Sequence, residues 1–216
     1  MWKLLLGQFI WTTTITDKYS GWTENRASFG KDATSVLTAI TAGLWNFPCT
    51  VKSFNTDSGT EFINHKFQEF LDKKGIEFTR SRPYKKNDNC HVEQKNFTHV
   101  RERFGYGRFD KEELIFIMNS IYSSYFNIFQ NFFVPQLKAI KVTRVGAKYK
   151  RKYDKAGTPY QRLIDSGKLS NYQTQQLTEK YDSLNPIQLK KDLNDMMKRF
   201  NRLLEGKSDF RYKFVA

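Results

Sequence analysis

With 216 residues, 39% hydrophobic and 16% aromatic, the chain can bury one good core and is too aromatic for wholesale disorder. No run approaches eighteen apolar residues, which excludes a membrane-spanning helix. Cys49 and Cys90 build no disulfide framework, and with His65, His91 and His99 they make no zinc spacing. The net charge of +14 is uneven, since residues 1–133 carry +3 and residues 134–216 carry +11. That excess is the footprint of a nucleic-acid surface; the plainer alternative is a solvated, soluble tail.

The start, "MWKLLLGQFIW", has one lysine and no small-residue cleavage site, so no secretory signal is expected. "FIWTTTITD" (9–17) nearly alternates and predicts a strand, "KYSG" a turn and "WTENRASF" (22–29) the returning strand of a hairpin. Asp32 is placed to cap a helix over about 33–46, with Val36, Leu37, Ile40 and Leu44 on its apolar side. A strand over 50–55, a helix over about 61–74 that stops at Gly75, and a strand over 76–81 follow. This ββ-α-β-α-β order predicts an α/β mixed sheet with helices on its faces.

Residues 82–89, "RPYKKNDN", read as a polar loop, followed by helices over about 90–106 and 110–131. The spacing of Ile121, Tyr125, Ile128, Phe129 and Phe132 suits core or dimer packing better than a base-stacking platform. Pro135 marks a break, and 134–160 is a basic, Tyr-interleaved linker or small extended unit. Over 185–204, Asn185 caps, Pro186 takes the first helical position, and Leu189, Leu193, Met196, Met197, Phe200 and Leu203 form one stripe. The chain divides into 1–133, 134–160 and a helical 161–216.

Two carboxylates invite a chemical reading. On a wheel of about 100° per residue, Glu93 falls with Phe97, Val100 and Phe104, opposite Lys95, Thr98, His99 and Glu102. Glu93 then extends an apolar stripe, where a carboxylate needs a partner; the bland alternative is a first-turn residue that complements the helix dipole or pairs a loop lysine. Asp57 follows a strand and is either a turn-former or a second ligand. Converging from a strand end and a helix start, the two suit a hard divalent cation. Thirty-five residues separate them.

"TDKYSGWTENRA" (16–27), "NTDSGTEFINH" (55–65) and "TRSRPYKKNDNCHVEQKNFTHVRERFGYGRFD" (79–110) resemble the catalytic core of the DDE transposase and retroviral-type integrase superfamily. The nearest resemblance is to integrase-core transposases of bacterial insertion sequences. It spans at least 8–133 and implies an RNase H-like fold, DNA strand cleavage and strand transfer, and a two-ion Mg²⁺ (or Mn²⁺) site with Asp57 and Glu93 as catalytic ligands. It also implies DNA contacts from the loop residues Arg82, Lys85 and Lys86 and from the helix face Gln94, Lys95, Thr98 and Arg101. The basic 138–155 segment, with Lys148, Lys150, Arg151 and Lys152, would hold backbone phosphates without base readout. The implied partners are element ends and target DNA, with a possible homo-oligomer and no membrane; the implied setting is the bacterial cytoplasm and nucleoid.

One departure stands out. The family's first aspartate lies on a strand that would precede Met1, and residues 1–16 hold no Asp or Glu. Asp17 sits beside the turn and is expected to serve it. The expectation is therefore an N-terminally truncated frame with impaired catalysis, whose neighbouring strands have open edges unless "WKLLL" (2–6) fills part of the gap. A non-catalytic DNA-binding remnant is the alternative, and an RNA-directed nuclease of the same fold a weaker third.

Overall fold

The computed structural model describes residues 8–56, 65–82 and 90–206, with side chains from Glu93 onward in the last stretch. β1 (Ile10–Thr16) and β2 (Thr23–Phe29) form the expected antiparallel hairpin, registered from Ile10 opposite Phe29 to Thr16 opposite Thr23. α1 (Ala33–Leu44) starts where Asp32 Oδ1 accepts from the backbone N of Thr34 and Ser35, both at 3.0 Å. It lies tightly on the hairpin: a Cβ on Gly43 would meet Ile15 Cδ1 at 2.8 Å.

β3 (Ser53–Thr56) and β4 (Glu77–Arg80) pair in parallel, joined by a crossover that contains α2 (His65–Lys73). Val36 and Ile40 of α1, Phe54 of β3, Phe67 and Leu71 of α2 and Ile76 form one apolar cluster that holds these pieces together. The architecture is mixed α/β, as expected. Its strands occur as separate pairs: among the described residues β1 pairs with β2 alone and β3 with β4 alone.

α3 begins at Cys90–Lys95, widens into a π turn over Asn96–Arg101 and closes as Glu102–Phe104. α4 repeats that plan, with Glu113–Ser120, a π turn over Ile121–Phe126, and Asn127–Phe133. The basic segment folds as a hairpin of β5 (Ala139–Val145) and β6 (Lys148–Tyr153). α5 (Pro159–Asp165), α6 (Asn171–Asp182) and α7 (Pro186–Leu204) complete the chain. Asn185 caps α7 as expected, its Oδ1 accepting from the backbone N of Ile187 and Gln188 at 3.0 and 3.1 Å.

The stripe of α7 packs inward. Leu193 and Phe200 share a cluster with Ala27, Phe104, Ile117, Ile121 and Phe126, and Phe200 meets Phe104 edge-on at 4.9 Å between ring centres. Tyr122, Phe126 and Phe132 of α4 are thus core, as is Ile121, while Phe116 is exposed.

α4 also closes the outer edge of β2. Asp17 donates its backbone N to Trp22 O at 2.8 Å, so by antiparallel alternation Thr23, Asn25 and Ala27 turn their backbone groups away from β1. Asparagines of α4 meet them. Asn131 accepts from Thr23 N and donates to Thr23 O, both at 2.9 Å; Asn119 does the same with Ala27 at 2.8 and 3.0 Å; Asn127 donates to Asn25 O at 3.4 Å. Amide side chains thereby stand in for a neighbouring strand.

Candidate active site

A cleft of about 950 Å³ opens beside the two strand pairs. Consecutive residues of β1 (Thr13–Thr16) and of β3 (Ser53–Thr56) line it, so each strand offers an edge to it rather than a face. Ile40 and Leu44 of α1 contribute an apolar part, and Leu163, Lys168 and Gln173 another wall. α3 packs against β1 and brings Glu93 and Asn96 into the same space.

Glu93 is exposed and makes no ion pair or hydrogen bond among the described residues. Thr56 and Asn96 also line the cleft, and their side-chain oxygens, Thr56 Oγ1 and Asn96 Oδ1, are buried and make no hydrogen bond among the described residues. An all-oxygen set of this kind has the chemistry of a hard-cation site. The described residues hold no group of three His, Cys, Asp or Glu side chains that would complete one.

Asp57, Lys85 and Lys86 lie outside the described residues, as does "WKLLL" (2–6). Thr56, the residue before Asp57, ends β3 at the cleft. Asp17 also borders the cleft, but its Oδ2 accepts from Ser20 N at 2.7 Å and Ser20 Oγ at 2.6 Å, which is the expected turn role.

The regular helical wheel misplaced the rest of α3. His99, expected on the polar side, is 2% exposed, and Phe97, expected on the apolar stripe, is 46% exposed. The π turn is the reason: its i→i+5 bonds add a residue per turn, so the faces slip beyond Lys95. Glu93 precedes the slip, yet it too lies on an exposed face at the cleft rather than on a buried stripe.

Of the expected DNA contacts, Gln94 and Arg101 are exposed, with the Arg101 guanidinium over the Tyr106 ring at 5.4 Å. Thr98 returns its hydroxyl to Gln94 O at 3.1 Å, and Arg82 is exposed. Lys95 is half-buried and donates to Gln136 Oε1 at 2.8 Å, so it ties α3 to the base of the β5–β6 hairpin rather than facing a ligand. Burial, with the Arg162 charge, brings its ammonium down to about 8. Lys148, Lys150, Arg151 and Lys152 are all exposed along β6.

Behind the cleft lies a buried polar network absent from the sequence reading. Asn25 Nδ2 donates to Asn127 Oδ1 at 2.8 Å and to His99 Nδ1 at 3.1 Å, while Asn25 Oδ1 accepts from Thr14 Oγ1 at 3.1 Å. His99 therefore uses Nδ1 as an acceptor in the neutral ring, and burial lowers it to about 3. Glu24 accepts from Trp22 Nε1 at 3.0 Å and Asn127 Nδ2 at 2.9 Å; burial outweighs these bonds and raises it to about 7. The visible signal was Asn119, Asn127 and Asn131, spaced by eight and four, on one side of an otherwise aromatic helix.

Residues 3–86 match the integrase core domain family. That stretch is thus similar to an integrase core domain. The matched span takes in β1 to β4 and ends before α3. The chain is also 33% identical over 147 residues to the uncharacterized protein y4rM of Sinorhizobium fredii, an alignment that covers 68% of this chain and 42% of that protein. It thus spans less than half the length of that relative. Among solved structures, the catalytic core domain of BIV integrase aligns at 17% identity with a TM-score of 0.41, over 74% of this chain and 88% of that one.

Proposed function

We propose that this chain belongs to the machinery of an insertion-sequence transposase, with Glu93 and Asp57 as the carboxylates that hold Mg²⁺ (or Mn²⁺). The observation that carries the reading is that Glu93 and Thr56, the residue before Asp57, line one cleft. Thr56 and Asn96, whose side-chain oxygens have no hydrogen-bond partner among the described residues, stand in the same wall. A divalent ion bound there supplies Lewis-acid activation for phosphoryl transfer. Glu93 would hold it from the helix side, and the exposed Gln94 and Arg101 would steady the DNA backbone beside it. In this reading residues 1–133 are the integrase core, 134–160 a DNA-facing unit and 161–216 a helical extension folded back on the core.

The second reading is a DNA-binding protein without turnover. What favours it is the hairpin of β5 and β6, every residue of which is exposed, and the single carboxylate that the described cleft offers without a partner. One experiment separates the two. A labelled duplex is incubated with the chain and Mg²⁺ or Mn²⁺, and with EDTA as control. Metal-dependent strand cleavage that vanishes in Glu93→Gln and Asp57→Asn is expected for the first reading. Cleavage unaffected by either substitution would refute these ligands, and binding with no cleavage under any metal selects the second.

A further inference from the structure

The β5–β6 hairpin has two chemically different faces. Cross-strand partners share a face, and successive pairs alternate. Lys141 faces Lys152, Thr143 faces Lys150 and Val145 faces Lys148, which makes one face a lysine field. Between them Val142 faces Arg151 and Arg144 faces Tyr149, and Tyr153, next after Lys152, falls on this second side. The second face is arginine and tyrosine. Residues 139–153 contain six Lys or Arg and no Asp or Glu.

Both faces are exposed over their whole length, including Val142, Val145, Tyr149 and Tyr153. A two-stranded ribbon with neither face covered is marginal in water by itself. Its root is nevertheless firmly held. Gln136 bridges Gly157, and Asp154 accepts from Lys138 N at 2.7 Å and from Arg162 Nη2 at 3.0 Å. Lys138 Nζ donates to the carbonyls of Lys18 and Tyr19, and Gln136 receives Lys95 of α3. The ribbon is thus fixed to the turn after β1 and to the helix that bears Glu93. A rigid root under a bare ribbon marks a docking element.

We infer that this ribbon seats in the major groove of duplex DNA with the Arg144, Tyr149, Arg151 and Tyr153 face toward the base edges. The lysines of the other face reach past the strands to the flanking phosphates. Its charge suits only a polyanion, and a second copy of the ribbon would be repelled. The major groove, about 12 Å wide, admits a two-stranded ribbon, and seven residues of strand, about 23 Å long, span some six or seven base pairs. Arginine donates in pairs to guanine O6 and N7, whereas lysine acts on phosphate as a point charge. The turn permits the approach: Gly146, at φ 63°, makes a two-residue loop with Ala147 and keeps the tip narrow. Arg144 Nε donates to Gly146 O at 3.1 Å, which leaves the end of its guanidinium for a base.

This inference rests on the DNA-binding part of the proposed function and not on cleavage. The test uses the whole chain, a mixed-sequence duplex of about 25 base pairs, anisotropy across a salt series, and dimethyl sulfate probing of guanine N7. The wild type is expected to protect N7 positions within a six- to seven-base-pair window. R144A/R151A should abolish that protection at unchanged thermal midpoint. K141A/K150A/K152A should retain it while the salt slope falls by about 2.7, or 0.9 per lost phosphate contact. R144K/R151K, equal in charge, should lose protection as the alanine pair does.

Duplex binding without N7 protection, or with protection indifferent to R144A/R151A, overturns the inference; so does binding to anionic vesicles that matches binding to DNA. Glu93→Gln should leave the footprint intact. A chain that protects N7 but never cleaves sinks the catalytic reading alone, and one that cleaves without hairpin-dependent protection sinks this inference alone.

Discussion

The outer edge of β2 and the edges that β1 and β3 turn to the cleft are built from the same backbone chemistry, yet the molecule treats them differently. Along β2, Asn131 and Asn119 take up both outward backbone groups of Thr23 and Ala27, Asn127 takes the carbonyl of Asn25, and the strand is sealed against α4. Along β1 and β3 a cleft of about 950 Å³ borders the strands, and Glu93 stands over it. The sealed edge is where the fold spends its hydrogen bonds for rigidity; the cleft-side edges lie beside Thr56 Oγ1 and Asn96 Oδ1, which have no hydrogen-bond partner among the described residues. Stability should therefore reside on one side of the hairpin and chemistry on the other.

The largest effect is expected on the sealed side. Asn127→Ala strips a donor from Glu24 and an acceptor from Asn25, and leaves Asn25 O without its amide. Buried groups left without partners should cost about 3 kcal/mol, read from urea denaturation. A loss below about 1 kcal/mol would mean that the asparagines decorate the edge rather than close it.

The network also predicts a pH signature. Glu24 is raised from 4.5 to about 7, so its native state holds a proton that the unfolded chain gives up. Its contribution is fully present below pH 4.5 and is lost as pH rises to about 7. His99 is lowered from 6.5 to about 3, so its contribution is present above pH 6.5 and is lost as pH falls toward 3. Between pH 4.5 and 6.5 the two oppose each other, each by up to ~1.4 kcal/mol per pH unit. Urea midpoints should climb with pH across this window in Glu24→Gln and decline in His99→Gln, with the wild type flatter than either. Three superimposable profiles would dismiss the burial of both groups.

Two smaller effects test the open side. Asp17→Ala removes the acceptor of both Ser20 bonds and should cost about 1 kcal/mol without touching DNA cleavage, because the turn rather than the cleft uses that carboxylate. Loss of metal-dependent cleavage in Asp17→Asn, at unchanged stability, would restore it as a ligand. Glu93→Gln should shift stability by less than about 0.5 kcal/mol, since its side chain is exposed and makes no ion pair or hydrogen bond among the described residues, while strand cleavage disappears. A marked loss of stability would make Glu93 structural.

Much of this was legible in the chain. Alternation gave β1 and β2, Asp32 and Asn185 announced α1 and α7, and the run from Ser53 to Arg80 shows the expected strand, helix and strand. α5 and α6 were expected only as a helical remainder, though Thr158-x-x-Gln161 and Ser170-x-x-Gln173 are capping boxes that the sequence displays. The basic segment was read as linker or extended unit, and its two-faced register needed the pairing of Lys141 with Lys152 to be seen. Hydrophobic period cannot reveal a π turn, because the same residues fit an α-helix until a tertiary contact selects the wider one. That is why His99 and Phe97 exchanged their expected environments.

Local chemistry thus determined which segments become strand or helix, where the caps fall, and that the positive charge gathers late in the chain. Those properties follow from side chains and their near neighbours. The closure of β2 by asparagines more than ninety residues away, the neutral His99 and the placing of Glu93 and the end of β3 along one cleft were decided only in three dimensions. Each depends on desolvation and on partners that the chain order does not place side by side.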